Sequence, residues 1–400
     1  MSQEQQDKKK GFLRNIISLG FVSLFTDISS EMVYPLIPDL VKAAGGGAAA
    51  LGVIEGTAEA TANVFKAFSG YISDRTGKRK PLVFLGYFLS TLAKPLLGLS
   101  YLWQMVFGFR FLDRLGKGIR TAPRDAILAD STGEEKRGQW FGLHRMMDTT
   151  GAVAGPLLAA ALLAYGVRLQ TLFFWAVLPA AVGLLIIRFF VKEVSPERKS
   201  AEKFKLDFRG LHRDYHVYLF ISAIFALGTF SNTLLILRAK DFNFALKTLP
   251  LLYMVFNAVS ALASLPAGML SDRIGRKNLL VFAMLIFGLC YFGFGFASAA
   301  YQIWALFAMF GIVDGIKEGV QKALIADLVP SEKRASAYGV YYAVVGALML
   351  PASAMAGIFW KTLGVAVTFS YAGTLALIAA GLLLFLIPNQ INTPSSRITK

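Results

Sequence analysis

The sequence predicts an all-α membrane protein, with twelve transmembrane helices in two pseudo-symmetric six-helix bundles. Four observations carry that expectation. Apolar runs of bilayer-spanning length recur along nearly the whole chain. Charged residues make up 16% of its 400 residues, against about a quarter in a soluble domain. A charged string, Ser73-Asp74-Arg75-Thr76-Gly77-Lys78-Arg79, returns 198 positions later as Ser271-Asp272-Arg273-Ile274-Gly275-Arg276-Lys277, each copy between two apolar runs. Basic residues crowd into alternate connections, as the positive-inside rule requires.

The spans expected in order are 14–37, 50–72, 81–99, 102–124, 139–163 and 171–190, then 216–237, 249–270, 279–298, 302–324, 337–360 and 364–387. A helix needs about 20 apolar residues to cross a bilayer. The polar stretch after residue 191 reads as a cytoplasmic linker. It divides the chain into a six-helix bundle over 1–190, a linker over 191–214 and a second bundle with a short tail over 215–400.

The cytoplasmic basic set is Lys8, Lys9, Lys10 and Arg14; Arg75, Lys78, Arg79 and Lys80; Lys136 and Arg137; Lys192 through Arg213; Arg273, Arg276 and Lys277; and Lys333 and Arg334. The opposite connections hold only Lys42, Arg168, Arg238, Lys240, Lys247 and Lys361. This places both termini in the cytoplasm and makes the number of spans even. The polar start, followed by a long apolar stretch that contains acids, suits an uncleaved signal anchor. Cys290 is the one cysteine, so no internal disulfide forms.

The duplication extends beyond the charged string. Gly118-Ile119-Arg120 through Asp130 aligns with Gly315-Ile316-Lys317 through Asp327, and Glu135-Lys136-Arg137 with Glu332-Lys333-Arg334. Gly151 and Pro156 have counterparts in Gly346 and Pro351. Features repeating on corresponding spans fit parallel halves related by an axis along the membrane normal.

With that duplication, the chain resembles the major facilitator superfamily. Gly70-Tyr71-Ile72-Ser73-Asp74-Arg75-Thr76-Gly77-Lys78-Arg79 resembles the superfamily's signature between its second and third helices, and residues 268–277 resemble its echo in the second half. Arg110, Asp113 and Gly116 match its fourth-helix pattern, with Arg114 where the first glycine usually stands. Gly151-Ala152-Val153-Ala154-Gly155-Pro156 resembles the fifth-helix signature of proton-coupled drug antiporters, with Ala159 and Ala160 at the trailing glycine positions. The resemblance implies a secondary transporter of the inner (cytoplasmic) membrane, in which two bundles rock about a midplane cavity.

The ionisable residues are concentrated in the first half. Asp27 and Glu31, four residues apart, share a face of the first span. At ~1.5 Å per residue from Arg14, Asp27 lies near the bilayer midplane, where an acid is costly unless paired, protonated or facing water. Glu55, Glu59 and Lys66 form one stripe on the second span, whereas the positions 198 later hold Tyr253, Asn257 and Ser264. The fourth span carries Arg110, Asp113, Arg114, Lys117, Arg120, Arg124 and Asp125 at helical spacing, a face that must line a cavity or pair with the acids. Arg110 is expected nearest those acids, whereas Arg120 and Arg124 are expected to snorkel to the cytoplasmic surface.

Asp27, Glu31, Glu59 and Arg110 are therefore the expected proton-coupling set. Glu55, Lys66, Asp113, Arg114, Lys117, Asp148, Asn232, Asn257, Tyr253 and Tyr341 are the expected cavity lining. Asp74, Arg75 and Gly77, with Asp272, Arg273 and Gly275, are expected to act as gates, through carboxylates that pair with arginine or with a helix N-terminus. Gly151, Gly155 and Pro156 supply a small-residue packing face and a kink. His144 and Arg145 stand beside Asp148, which pairs with Arg145 if left to its own helix.

Proton-driven export of a small amphipathic compound is the leading expectation. Uptake or exchange of an anionic metabolite held by the basic face of the fourth span is the alternative, and a non-transporting receptor or scaffold is a third. Nucleic-acid binding does not account for the net charge of +16, because the basic residues track topology. There is no Gly-Lys-Ser/Thr phosphate loop and no Cys/His cluster, so neither enzyme chemistry nor a metal or other cofactor is expected. The expected partners are a small-molecule substrate, protons or another coupling ion, and the bilayer, with the chain as a monomer.

Overall fold

The computed structural model describes residues 3–131, 137–194, 213–329 and 334–388. For residues 3–13, 74, 129, 130, 137–142, 272, 318 and 334–336 only the backbone is described. Residues 195–212 of the expected linker, the tail after 388, and Glu135-Lys136 and Glu332-Lys333 of the repeat lie outside the described residues.

The described elements are helical: α1 Gln3–Val33, α2 Ile37–Ala43, α3 Ala48–Thr76, α4 Lys80–Gly98, α5 Trp103–Asp130, α6 Arg137–Ala164, α7 Leu169–Trp175, α8 Val177–Phe189, α9 Arg213–Leu227, α10 Asn232–Lys240, α11 Leu249–Ile274, α12 Arg276–Phe296, α13 Ala300–Leu328, α14 Arg334–Leu363 and α15 Val365–Leu386. Nine helical segments among the described residues are long and apolar enough to cross a membrane. The polar stripes explain why α3, α5 and α13 are not among them: these helices carry Glu55, Glu59 and Lys66; Arg110 through Asp125; and Asp314, Lys317 and Lys322.

Three expected spans prove to be interrupted. A 3₁₀ turn at Tyr34–Leu36 separates α1 from α2, where Pro35 and Pro38 leave backbone acceptors without a helical donor. The chain also breaks between α7 and α8 at Ala176 and between α9 and α10, where the Ser231 side chain caps α10 by accepting from the Thr233 N–H at 3.4 Å.

The chain divides into two compact units. The first comprises 1–46, 57–204 and 245–254, and the second 47–56, 205–244 and 255–400. In the first, α1 packs on α6 and α8, and α4 on α5, α7 and α8; in the second, α12 packs on α13 and α15, and α9 on α14 and α15. The second unit's core is aromatic. Tyr291 lies with Phe287, Phe230, Phe310 and Phe369 at centroid separations of 4.3 to 5.8 Å.

Each unit contains the same local devices. Gly77 and Gly275 adopt φ of +65° and +90°, and their N–H groups donate to Ser73 O and Ser271 O at 2.9 and 3.1 Å, closing α3 and α11 alike. Arg79 and Arg276 both donate through Nη1, to Ala126 O and Ala323 O, each at 3.3 Å. A Cβ on Gly118 would stand 2.7 Å from Phe65 Cβ, and one on Gly315 would stand 3.0 Å from Ala263 Cβ. The duplicated residues thus fix duplicated contacts. Gly77→Ala and Gly275→Ala are each expected to cost ~1–2 kcal/mol, the penalty of a Cβ in the left-handed region, seen as a lower melting temperature in detergent. Unchanged melting would show that the turn relaxes without strain.

Candidate functional site

The first unit holds a polar pocket lined by Asp27, Ser30, Glu31 and Tyr34 from one side and Asp113, Arg114, Lys117 and Arg120 from the other. Both sets follow from helical spacing. Steps of three and four put Asp27, Ser30 and Glu31 on one face of α1, with Tyr34 in the turn beyond it. The same steps carry α5 from Asp113 to Arg120.

Glycines set the depth of the site. A Cβ on Gly151 would stand 2.5 Å from Leu24 O and 3.0 Å from Asp27 Cβ, and one on Gly155 would stand 2.6 Å from Ile28 O. The backbones of α6 and α1 therefore touch beside the acids. On the α5 side, a Cβ on Gly116 would stand 2.5 Å from Gly86 O, so α4 approaches equally closely.

Charges inside this frame are mostly paired. Arg110 donates to Asp113 Oδ2 at 2.9 Å. Arg114 lies 3.5 Å from Glu59 Oε1 and 3.8 Å from Asp113 Oδ2. The guanidinium carbons of Arg110 and Arg114 stand 5.3 and 5.8 Å from the centre of the Tyr34 ring, whose own neighbour is Tyr253 at 5.1 Å. Asp148 on α6 accepts from Ser23 Oγ at 2.6 Å and from Arg145 Nη1 at 3.2 Å. The Asp27 carboxyl lies within hydrogen-bonding reach of Asp148 as well. Glu31 keeps one buried carboxylate oxygen with no hydrogen bond.

Among the expected site residues, Asp27, Glu31, Asp113, Arg114 and Lys117 line this pocket, and Glu59, Arg110 and Asp148 hold residues that line it. Arg110 pairs with Asp113 on its own helix, and Arg114 takes Glu59. Lys66 is half-buried on α3, where its backbone N would lie 3.3 Å from a Cβ on Gly118. Glu55 departs from its stripe. It is fully buried and accepts from Ser231 Oγ at 3.3 Å within the second unit. Asn232 starts α10, Asn257 lies half-buried on α11, and Tyr341 stacks on Tyr218 at 6.3 Å. The side chains of Asp74 and Asp272 lie outside the described ones, and Arg75 and Arg273 are exposed.

Arg120, expected to snorkel, is instead buried, with its guanidinium 4.2 Å over the Tyr87 ring. Arg124 pairs with its neighbour Asp125 at 2.8 Å. Sequence reasoning missed Lys94. Only 1% of it is exposed, and its Nζ donates to Ser90 O at 3.2 Å, while Ser90 Oγ donates to Asp113 O at 2.9 Å. A lysine four residues inside the end of a span reads as an interfacial anchor, and the neighbouring Pro95, a residue that tends to end helices, reinforces that reading although the helix runs on to Gly98.

Residues 19–234 and 217–399 match the Major Facilitator Superfamily. An MFS-type transporter of Methanocaldococcus jannaschii is 38% identical over 393 residues, covering 96% of this chain and 98% of that one. The multidrug resistance protein MdtH of Salmonella arizonae is 24% identical over 331 residues, covering 81% of this chain and 78% of that one. In fold, the crystal structure of a POT family transporter in complex with 5-aminolevulinic acid superposes with a TM-score of 0.78 over 97% of both chains, at 14% identity. These relatives are transporters rather than enzymes. With a match along almost its entire length and several helices fit to cross a membrane, the chain belongs to the Major Facilitator Superfamily and is a multi-pass membrane transporter of small molecules.

Proposed function

We propose that this transporter is a proton-coupled antiporter that exports a small amphipathic organic compound by alternating access. In this proposal twelve spans form two six-helix bundles, over 1–190 and 215–400, joined by the linker 191–214. The chain sits as a monomer in the inner (cytoplasmic) membrane with both termini in the cytoplasm. The multidrug resistance relative supports export of an organic compound as the direction.

One observation carries the coupling: the Asp27 and Asp148 carboxyls lie within hydrogen-bonding reach of each other across α1 and α6. Two carboxyl groups share a hydrogen bond only when one of them carries a proton. In this reading the pair is a site for one proton. Glu31, one turn along the same face, is the next acceptor, facing Arg114 and Lys117. Movement of α1 against α6 would part the carboxyls and release the proton. Glu59 and Arg110 belong to the same set because they fix Arg114 and Asp113 at the pocket wall. Asp74, Arg75, Gly77, Asp272, Arg273 and Gly275 act as gates at the ends of α3 and α11.

The test is a panel of labelled amphipathic cations, anions and neutral compounds in proteoliposomes under an imposed pH gradient. Antiport predicts flux of at least one compound that reverses direction when the gradient is reversed. Folded protein that moves none of them under either gradient would instead be a receptor or scaffold.

A further inference from the structure

We infer that Lys94 is a proton-exchanging group of the first unit, separate from the Asp27–Asp148 pair: its amine carries no proton while Arg110 holds Asp113, and gains one when that pair opens. Its part in transport rests on the antiport proposed above; its protonation state does not.

Lys94 lies one turn from the end of α4 at Gly98 and is only 1% exposed. A lysine near the end of a membrane helix ordinarily extends its ammonium outward to the interface. This one turns the other way. Its Nζ donates at 3.2 Å to Ser90 O, one turn back along α4 and further from Gly98. There α4 and α5 approach closely: a Cβ on Gly116 would stand 2.7 Å from Ser90 Oγ, which itself donates to Asp113 O at 2.9 Å.

The surroundings suit a neutral amine better than an ammonium. An ammonium brings three donors. Among the described residues Ser90 O is the acceptor for Nζ, and no carboxylate lies within 4.0 Å of it. The charged groups that face it belong to α5: Asp113, Arg120, Arg114 and Arg110. Asp113 is already taken by Arg110 at 2.9 Å, with Arg114 at 3.8 Å. Of the other helices packed on α4, α7 has no ionisable side chain, and α8 has only Arg188, in its last turn at the Lys80 end of α4. A buried charge without a partner is strongly destabilising. Arginine stays charged, so the lysine is the cation here that can shed its proton. As a neutral amine it keeps the bond to Ser90 O.

Asp113 ties that proton to conformation. It is the carboxylate that faces Lys94, and Arg110 occupies it. When Arg110 leaves, the carboxylate lacks its partner, and the amine takes a proton from water onto its nitrogen lone pair. When Arg110 returns, the proton goes back to water. Opening and closing of the Arg110–Asp113 pair thereby moves one proton on and off α4.

Thermal unfolding of the purified full-length protein in detergent, followed from about pH 6 to about pH 10, tests this. The unfolded chain binds the lysine proton up to about pH 10.4. Stability rises with pH wherever the unfolded state binds more protons than the fold. The unsubstituted protein therefore loses stability through Lys94 as pH falls, and Lys94→Met does not. The melting temperature of Lys94→Met is expected to gain on that of the unsubstituted protein by on the order of 1–2 °C for each pH unit of acidification. Lys94→Gln, which keeps a donor for Ser90 O, should gain in the same way. Lys94→Arg cannot lose its charge and should melt lower than the unsubstituted protein at the alkaline end. In an Arg110→Gln background Asp113 loses its nearest arginine and takes Lys94 instead, so the gain on acidification should disappear.

A melting difference that stays constant with pH in both Lys94→Met and Lys94→Gln would overturn the inference, as would Lys94→Arg that melts like the unsubstituted protein. A gain of undiminished size in the Arg110→Gln background would sever Lys94 from Asp113 and overturn the exchange. Melting needs no gradient, which keeps the two proposals separable. A pH-dependent gain without gradient-driven flux removes antiport and leaves the proton on Lys94. Gradient-driven flux with a constant melting difference does the reverse.

Discussion

Asp27→Asn is expected to abolish pH-gradient-driven transport while leaving the protein folded. The amide is nearly isosteric with the carboxyl and can still donate a hydrogen bond to Asp148, so α1 and α6 stay in contact. It cannot take up or release a proton. Coupling between two ligands is typically ~1–3 kcal/mol, a roughly 5–150-fold effect, and the gradient-driven component of flux should fall by on the order of that upper figure. Counterflow exchange without a gradient should persist, because the basic residues of the pocket are untouched. Asp148→Asn should give the same phenotype, since the shared proton needs both carboxyls. Gradient-driven flux at the original rate in Asp27→Asn would remove Asp27 from the mechanism.

Gly155→Leu is expected to prevent assembly of the first unit. A Cβ there would already stand 2.6 Å from Ile28 O and 2.9 Å from Met32 N, both backbone atoms that cannot rotate away. Ordinary overpacking costs ~1–3 kcal/mol when side chains can yield; contact with backbone offers no such relief, and the four-carbon side chain exceeds it. Little protein should survive extraction as a monodisperse peak on size exclusion. Gly155→Ala should be partly tolerated, with a melting temperature between the two. By contrast Gly108→Leu meets nothing within 4 Å and should leave folding intact. Equal yields for Gly155→Leu and Gly108→Leu would mean that α1 and α6 do not touch as described.

Much of this chain is readable because membranes and duplications simplify the code. The string at 73–79 and its copy at 271–277 differ at three of seven residues, yet both keep the glycine that the left-handed turn requires. Gly118 and Gly315 were legible as part of the repeat, and each presses on the second long helix of its own half, where any side chain would collide. Arg79 and Arg276 bind carbonyls 197 positions apart, so even a contact made at a distance was written twice.

Less visible were the breaks. The run from 14 to 37 is long enough to cross a bilayer, and hydropathy does not distinguish a continuous helix from one that turns at Tyr34–Leu36. The partner of each charge was equally hidden. Spacing along one helix pairs Asp148 with Arg145, and the structure keeps that pair, whereas Arg110, expected nearest the acids of the first two spans, pairs with Asp113. The structure adds Ser23 and Asp27 to the Asp148 pair, contacts that depend on how α1 and α6 are laid together, and gives Arg114 the Glu59 of α3. Lys94 and Arg120 show the same limit from the other side. Each lies on a helix end that sequence assigns to the interface, and each is buried because α4 and α5 meet at Gly86 and Gly116.

What the sequence by itself determined was everything that depends on local spacing and on the solvent: apolar runs sized to a bilayer, turns that only glycine can make, a twofold internal repeat, and acids and bases gathered on single helix faces. Only the tertiary structure decided which side chains meet between helices, Arg114 with Glu59 and Asp148 with Ser23. Such a contact depends on a few ångströms between different helices, and that separation is set by where two backbones can touch, at Gly151 and Gly155 on one side and at Gly86 and Gly116 on the other.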